Sequence, residues 1–463
     1  MQMLQLGVLG RLLGSDAYGL IGYAMVVVAF AQAFADFGLS NAIIHFQNAT
    51  RHELSTLYWL NFLAGALVFA VVQAVAPLLG TLFGDPRVVS VVRLVAYVFL
   101  LLPLGQQFQV LYERDLRFRR LAAIETAAVG AGAATGILCA LRGVGVDSLV
   151  WALLANTGLR AGLLMATGWR QWRPEWVFHP RACSRFLRFG AYQMAERGVN
   201  TLGRQLDKVV IGATMNTDLM GYYYLANRLV TLPYQVINPV FTRVAFPVFS
   251  RVQDDKDRLR KGFLEMISVV VVVMAPIYVG LAVLARPIVA IQLGAGYGPV
   301  IALIQILSIL GFLYAVSNPL GSVILARGRS DVAFYLNVVR TGLFAVALWF
   351  GVRIGLKGAA WSLVLVVVCV MVPIGFRIRA WLMDMSVREY LRVLVAPVGV
   401  ALAAGAVVFL VEKFAAGRMP ALVGAHDVVQ LVVGAGVGSG IFWLIGRRLC
   451  RAQINRAVML LRR

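Results

Sequence analysis

Apolar runs long enough to cross a bilayer recur about every 30 residues along this chain, and that recurrence leaves few folds open to it. They fall at 18–44, 56–82, 88–111, 121–141, 146–168, 187–213, 219–247, 263–290, 298–325, 332–352, 358–380, 391–412 and 427–446. Residues 1–13, MQMLQLGVLGRLL, are apolar but too short to span, and lack the charged start and small-residue cleavage site of a signal peptide. They read as the tail of a first transmembrane helix, truncated or missed by a downstream start codon. Counting that tail gives about fourteen crossings. Composition agrees: 60% of the 463 residues are hydrophobic and only 14% charged, against about 25% in soluble domains. The expected fold is an all-α polytopic membrane protein.

The net charge of +22 does not point to nucleic acid, because the cations sit in short links and build no basic domain. Their distribution sets topology instead. Basic links carry Arg51; Arg114, Arg117, Arg119 and Arg120; Arg170 to Arg188; Arg251 to Lys261; Arg327 and Arg329; and Arg377 to Arg392. They alternate with cation-poor links at 15–17, 85–87, 215–218 and 294–299. Both termini are therefore expected in the cytoplasm.

The halves echo each other. LLGSDAYGLIGYA at 12–24 aligns with NTDLMGYYYLA at 216–226, pairing Asp16 with Asp218 and Gly19 with Gly221. Pro103-Leu104-Gly105 with Phe118 matches Pro319-Leu320-Gly321 with Phe334 at the same spacing. This predicts a parallel repeat about an axis along the membrane normal: six-helix bundles at 1–168 and 187–384 around a central cavity, a cytoplasmic link at 169–186, and two extra helices with a basic tail at 385–463. The link's tryptophans and arginines suit either an interfacial helix on anionic lipid or a plain linker.

The chemistry concentrates in 190–228. At 100° per residue, Gln193, Glu196, Arg197, Asn200, Arg204, Asp207 and Lys208 occupy about 120° of one helix face. Such a stripe cannot face lipid. Arg204 and Lys208, one turn apart, repel each other unless an anion bridges them. Alternatively, Asp207 and Glu196 neutralise them in a salt-bridged helix interface. Arg197, Arg204, Lys208, Arg340, Arg160 and Arg228 are the candidate pyrophosphate ligands, because guanidinium forks suit phosphate oxygens; Arg160 and Arg228 also lie where they could snorkel. Asp36, Glu125, Glu196 and Asp207 are candidates to carry H⁺ or hold Na⁺, or to serve as structural partners.

No catalytic constellation, nucleotide loop or paired-cysteine motif emerges. The four cysteines and four histidines are scattered, so no metal or other cofactor is expected beyond a possible coupling ion.

The stretches RLLGSDAYGL, ADFGLSNAIIHF, LSTLYWLNFLAG, LPLGQQFQVLYERDLRF, LDKVVIGATMNTDLMGYYYLANRL, VAFPVFSRVQDD and SNPLGSVILARGRSDVAF resemble the polysaccharide-exporter, Wzx-type branch of the multidrug/oligosaccharidyl-lipid/polysaccharide superfamily. The likeness runs to about residue 385. It implies fourteen helices and a flippase, not an enzyme, moving undecaprenyl-pyrophosphate-linked repeat units across a bacterial inner membrane. A polysaccharide polymerase and a chain-length regulator are possible partners. One rival is a cation-coupled multidrug antiporter of the same superfamily, which predicts a cavity rich in acids and aromatics. Another is a polymerase or non-transporting assembly member, which predicts a large outward catalytic loop.

Overall fold

A computed structural model describes residues 2–35, 50–179, 183–294, 296–416 and 425–449. Among them every regular element is helical, as lipid requires of a chain whose backbone polar groups must pair within each span. Among the described residues eleven helices are long and apolar enough to cross a membrane. The difference from about fourteen has two sources. α1 (Gln2–Ala35) holds the expected tail of the first crossing and the described part of the second, 18–35, and is broken at Gly14, whose φ of 75° and ψ of 173° interrupt the helix. Two further helices of spanning length, α7 (Ser184–Thr214) and α8 (Thr217–Arg251), are not among the eleven; α7 carries the charged stripe.

The chain divides into two compact units, Met1–Gly221 and Tyr222–Arg463. In the first, α2 (Arg51–Leu82) starts from a reciprocal capping box between Thr50 and Glu53. The crossing expected at 88–111 is two helices, α3 (Arg87–Val95) and α4 (Val98–Arg114). α5 (Phe118–Leu141) and α6 (Asp147–Gly168) pack along each other, and α7 packs on α1. Gly132 and Gly136 of α5 make the first of these contacts possible: a Cβ on either would stand 2.7–2.8 Å from Ala152 of α6.

The two copies of the sequence repeat meet directly. A Cβ on Gly19 would lie 2.0 Å from the Thr217 carbonyl oxygen, and one on Gly221 would lie 2.0 Å from the Ser15 carbonyl oxygen. Each glycine of the repeat thus receives the backbone of the other copy, at the residue four positions before the partner glycine.

As far as residue 179, the link between the expected bundles is not an interfacial helix. Residues 173–179 form no helix and lie as a strap on the start of α2. The Glu175 N–H donates to Ser55 Oγ, Trp59 Nε1 donates to the Glu175 carbonyl, and His52 Nδ1 lies 3.0 Å from the Glu175 carboxylate. Trp172 is buried with Tyr58, Phe108, Cys183 and Phe186, whereas Trp176, 90% exposed, stacks on Trp59 at 4.4 Å.

In the second unit, α9 (Lys256–Val283) is central, packing against α11 (Gly298–Ala326) and α15 (Val387–Ala416). α10 (Ala285–Gln292) extends it. Beyond α12 (Ser330–Gly351), the crossing expected at 358–380 comprises α13 (Leu356–Val366), a π-helical turn at Val367–Met371 and α14 (Val372–Met383). α16 (Ala425–Leu449) packs on α15. Lys256 pairs with Asp384 at 2.9 Å and Arg260 donates to the Asp384 carbonyl. The links at 252–260 and 384–386, which the charge pattern assigns to one side, therefore meet.

Candidate functional site: charged side chains within the helices

α7 delivers most of the expected stripe. Arg197, Asn200, Asp207 and Lys208 are half-buried, while Arg204 is exposed. Lys208 Nζ donates to Gln205 Oε1 at 2.8 Å, and Arg197, Asn200 and Asp207 each have interaction partners. The side chains of Gln193 and Glu196, and all of Asp36, lie outside the described residues. Five polar groups on a helix with Leu202, Val209, Val210 and Ile211 need protein or water beside them.

Two candidates assigned to different roles are joined. Arg160 of α6 donates through Nη2 to Glu125 Oε1 of α5 at 2.7 Å and to Gln109 Oε1 of α4 at 3.0 Å. Gln109 in turn donates to Glu113 at 2.7 Å. The result is a carboxylate–amide–guanidinium–carboxylate chain across three helices, and Arg160 Nε is buried without a hydrogen-bond partner. Arg160 therefore already has a counter-ion. In the second unit, Arg228 donates to the Tyr224 hydroxyl at 3.1 Å one turn earlier on α8. Arg340 of α12 is half-buried, and its Nε is buried without a hydrogen bond.

Three arrangements escaped sequence reasoning. Asn238 and Asn318, each just before a helix proline (Pro239 and Pro319), hydrogen-bond to each other; the two Asn-Pro pairs were the available signal. Arg379, 3% exposed, lies over the Tyr390 ring at 4.3 Å and near Phe376 and Phe263, an aromatic enclosure with no signature in spacing. The third lies in the cation-poor links. Arg87 binds Asp16 through both terminal nitrogens at 2.7 and 2.8 Å and reaches Asp85 at 2.8 Å. Thr217 donates to Asp85 and Ser15 donates to Asp218. The links at 15–17, 85–87 and 215–218 thus close one end of the first unit beside the glycine crossing.

The Arg87 guanidinium, hydrogen-bonded to Asp85, holds that carboxyl below the usual carboxylate range, against the opposing effect of burial; Thr217 adds to the lowering. A carboxyl depressed on folding stabilises the fold above its unfolded pKa of about 3.9, and that contribution is lost as pH falls through the folded value. The melting midpoint of wild type should therefore exceed that of Asp85→Asn by a constant margin from pH 8 to 5. The margin should shrink below about pH 4. Thermal unfolding in detergent across that range measures it.

Among the described residues no group of three or more His, Cys, Asp or Glu is placed to hold a metal ion. The free cysteines there are Cys139, Cys183 and Cys369.

The profile of a family described as "Polysaccharide biosynthesis protein" matches residues 8–302, more than half the chain. This chain belongs to that family. The lipopolysaccharide biosynthesis protein WzxC of Escherichia coli K12 is 32% identical over 75% of this chain and 71% of its own length. The teichuronic acid biosynthesis protein TuaB of Bacillus subtilis 168 is 31% identical over 88% and 84%. The succinoglycan biosynthesis transport protein ExoT of Rhizobium meliloti 1021 is 26% identical over 95% and 87%. Among solved structures, the lipid II flippase MurJ in an inward closed conformation superposes with a TM-score of 0.76 at 13% identity, covering 98% of this chain and 96% of MurJ. An inward-facing multidrug MATE transporter of the MOP superfamily gives 0.64 at 15% identity, covering 83% and 95%. The fold is thus shared with MurJ and with the MATE transporter.

Proposed function

We propose that this family member is a flippase that carries undecaprenyl-pyrophosphate-linked oligosaccharide repeat units from the cytoplasmic to the periplasmic face of a bacterial inner membrane, with both termini cytoplasmic. The observation that carries this reading is the similarity, across most of the chain, to proteins named for the biosynthesis or transport of lipopolysaccharide, teichuronic acid and succinoglycan. The likeness in fold to a lipid II flippase accords with it. The chemistry accords too: a lipid-linked sugar presents a pyrophosphate, and Arg204 and Lys208 offer two cations one turn apart on a helix too polar to sit in lipid. The isoprenoid stays in the bilayer while the head group crosses by alternating access. An H⁺ or Na⁺ gradient is the proposed energy source, with Asp207 the described acid on the stripe. A polymerase and a chain-length regulator would act on the delivered units.

Complementation of a flippase-null strain tests this. Wild type should restore surface polysaccharide, whereas Arg204→Ala and Lys208→Ala, at matched membrane levels, should cut it about tenfold or more and trap lipid-linked precursor inside. Restoration by the mutants would keep the function and discard the site. A strain whose drug sensitivity changes while its polysaccharide does not would favour the antiporter reading.

A further inference from the structure

The turn between α4 and α5 is built unlike its counterpart in the second unit. In both turns the chain reverses through a left-handed residue: Leu116 (φ 55°) here, Gly328 (φ 69°) between α11 and α12. The Arg117 N–H donates to the Tyr112 carbonyl and the Arg329 N–H to the Ile324 carbonyl, the same long-range turn bond. Their charges are handled differently. Arg329 is gripped by Asp331 in the first turn of α12 through two nitrogens at 2.9 Å, and lies 4.5 Å over the Trp381 ring. Arg327 donates to the Leu382 carbonyl. In the first unit, α5 opens with no acid in its first turn, and Arg117, Arg119, Arg120 and Leu116 line an open depression of about 480 Å³.

The acids nearby do not fill this depression. Asp115 stands 3.7 Å from Arg114 and 3.9 Å from Arg117, beyond hydrogen-bond reach, and Glu113 is held by Gln109. Among the described residues Arg119 and Arg120 have no hydrogen-bonding or ionic partner. Beside them Leu116 is 73% and Phe118 56% exposed, large apolar groups on the rim of a cationic hollow. In the register of the two turns, Arg117, Arg119 and Arg120 correspond to Arg329, Asp331 and Val332, so Arg119 stands where the second turn has its neutralising acid. Charge that only fixed topology would require neither this convergence nor the exposed Leu116 and Phe118.

We propose that the α4–α5 turn binds the phosphate or pyrophosphate head group of an anionic lipid, with Leu116 and Phe118 entering the acyl layer beside it. Cations that attract phosphate, next to apolar side chains, match the two-part character of such a lipid at the interface. The site does not depend on the flippase reading, since a bilayer phospholipid and a lipid-linked sugar both present this chemistry.

The test titrates the purified full chain, in neutral phosphatidylcholine nanodiscs, with farnesyl pyrophosphate and, separately, with phosphatidylglycerol incorporated into the discs. Wild type is compared with Arg117→Gln/Arg119→Gln/Arg120→Gln. A control variant, Arg377→Gln/Arg388→Gln/Arg392→Gln, removes the same charge from exposed arginines of the second unit. Native mass spectrometry counts bound lipid, and melting midpoints confirm that each variant is folded. Affinity for at least one lipid should fall about tenfold or more in the first variant and less than threefold in the control. Loss confined to farnesyl pyrophosphate identifies a pyrophosphate site, and loss confined to, or shared with, phosphatidylglycerol identifies a general phosphate head-group site. Undiminished binding by the first variant, or equal loss in both, overturns the proposal.

Discussion

Alanine at Gly19 or Gly221 should be the most damaging single-methyl change in the first unit. In either variant the new Cβ would need the space of a backbone carbonyl oxygen 2.0 Å away. A backbone carbonyl cannot rotate aside as a side chain can, so α1 and the start of α8 must separate along their crossing. Overpacking a close contact costs about 1–3 kcal/mol, and a clash with rigid backbone belongs at the upper end. Separation would also stretch the Ser15–Asp218 bond and the Arg87 cluster, whose Asp16 and Thr217 lie within four residues of Gly19 and Gly221 respectively. Gly19→Ala and Gly221→Ala should each lower the melting midpoint by several degrees and reduce protein recovered from membranes. Gly14→Ala is the informative comparison: no atom lies within 4 Å of its Cβ position, but its φ of +75° imposes strain. With ψ at 173° it lies in a region essentially confined to glycine, so the change should cost about 1–3 kcal/mol from backbone strain alone. If Gly19→Ala melts like wild type, the crossing is looser than its geometry indicates.

The second large effect concerns Arg160 and Glu125. Glu125 lies about 10 Å into α5 and Arg160 about 12 Å from the end of α6, by helical rise. A charge stripped of its partner at such depth costs about 2–3 kcal/mol on insertion scales; with Glu125 half exposed and Arg160 30% exposed, about 1–2 kcal/mol is the discounted expectation. Glu125→Gln strands a guanidinium whose Nε already lacks a partner, so it should be the costlier substitution. Arg160→Gln leaves Glu125 unpaired and frees Gln109. The double variant Glu125→Gln/Arg160→Gln keeps amides able to bond to each other and should recover most of the loss. A double-mutant cycle on melting free energies should give a coupling of about 1.5 kcal/mol. A coupling near zero would mean that the two side chains do not meet in the folded protein.

Much of this architecture was legible in the chain. Span lengths and apolar runs announced the helices because a bilayer imposes one length on every crossing. The glycines at 19 and 221 were visible as a repeat, yet that they lie against each other was not, since alignment reports equivalence and says nothing of contact. The kinks at Ala96–Tyr97 and Val367–Met371 were hidden because both halves of each helix are equally apolar. The polar stripe on α7 was visible at helical spacing, but the partners of its members were not. Arg160 and Glu125 are 35 residues apart, and only the packing of α5 along α6 shows that a presumed ligand and a presumed ion carrier neutralise one another. The Asp16–Arg87–Asp85 cluster lay in links that looked empty because each contributes one or two charges. Their chemistry arises only where three links converge.

The polarity of α7 has a consequence for how the protein is made. A translocon releases a segment sideways into lipid when its own apolarity suffices, and α7, with Arg197, Arg204, Asp207 and Lys208 along it, falls short of that threshold. Its packing partner is α1, synthesised some 150 residues earlier. Stable insertion of this helix is therefore expected to depend on packing against α1 as well as on partitioning. The order of the chain, with the acceptor ahead of the polar helix, provides for that packing.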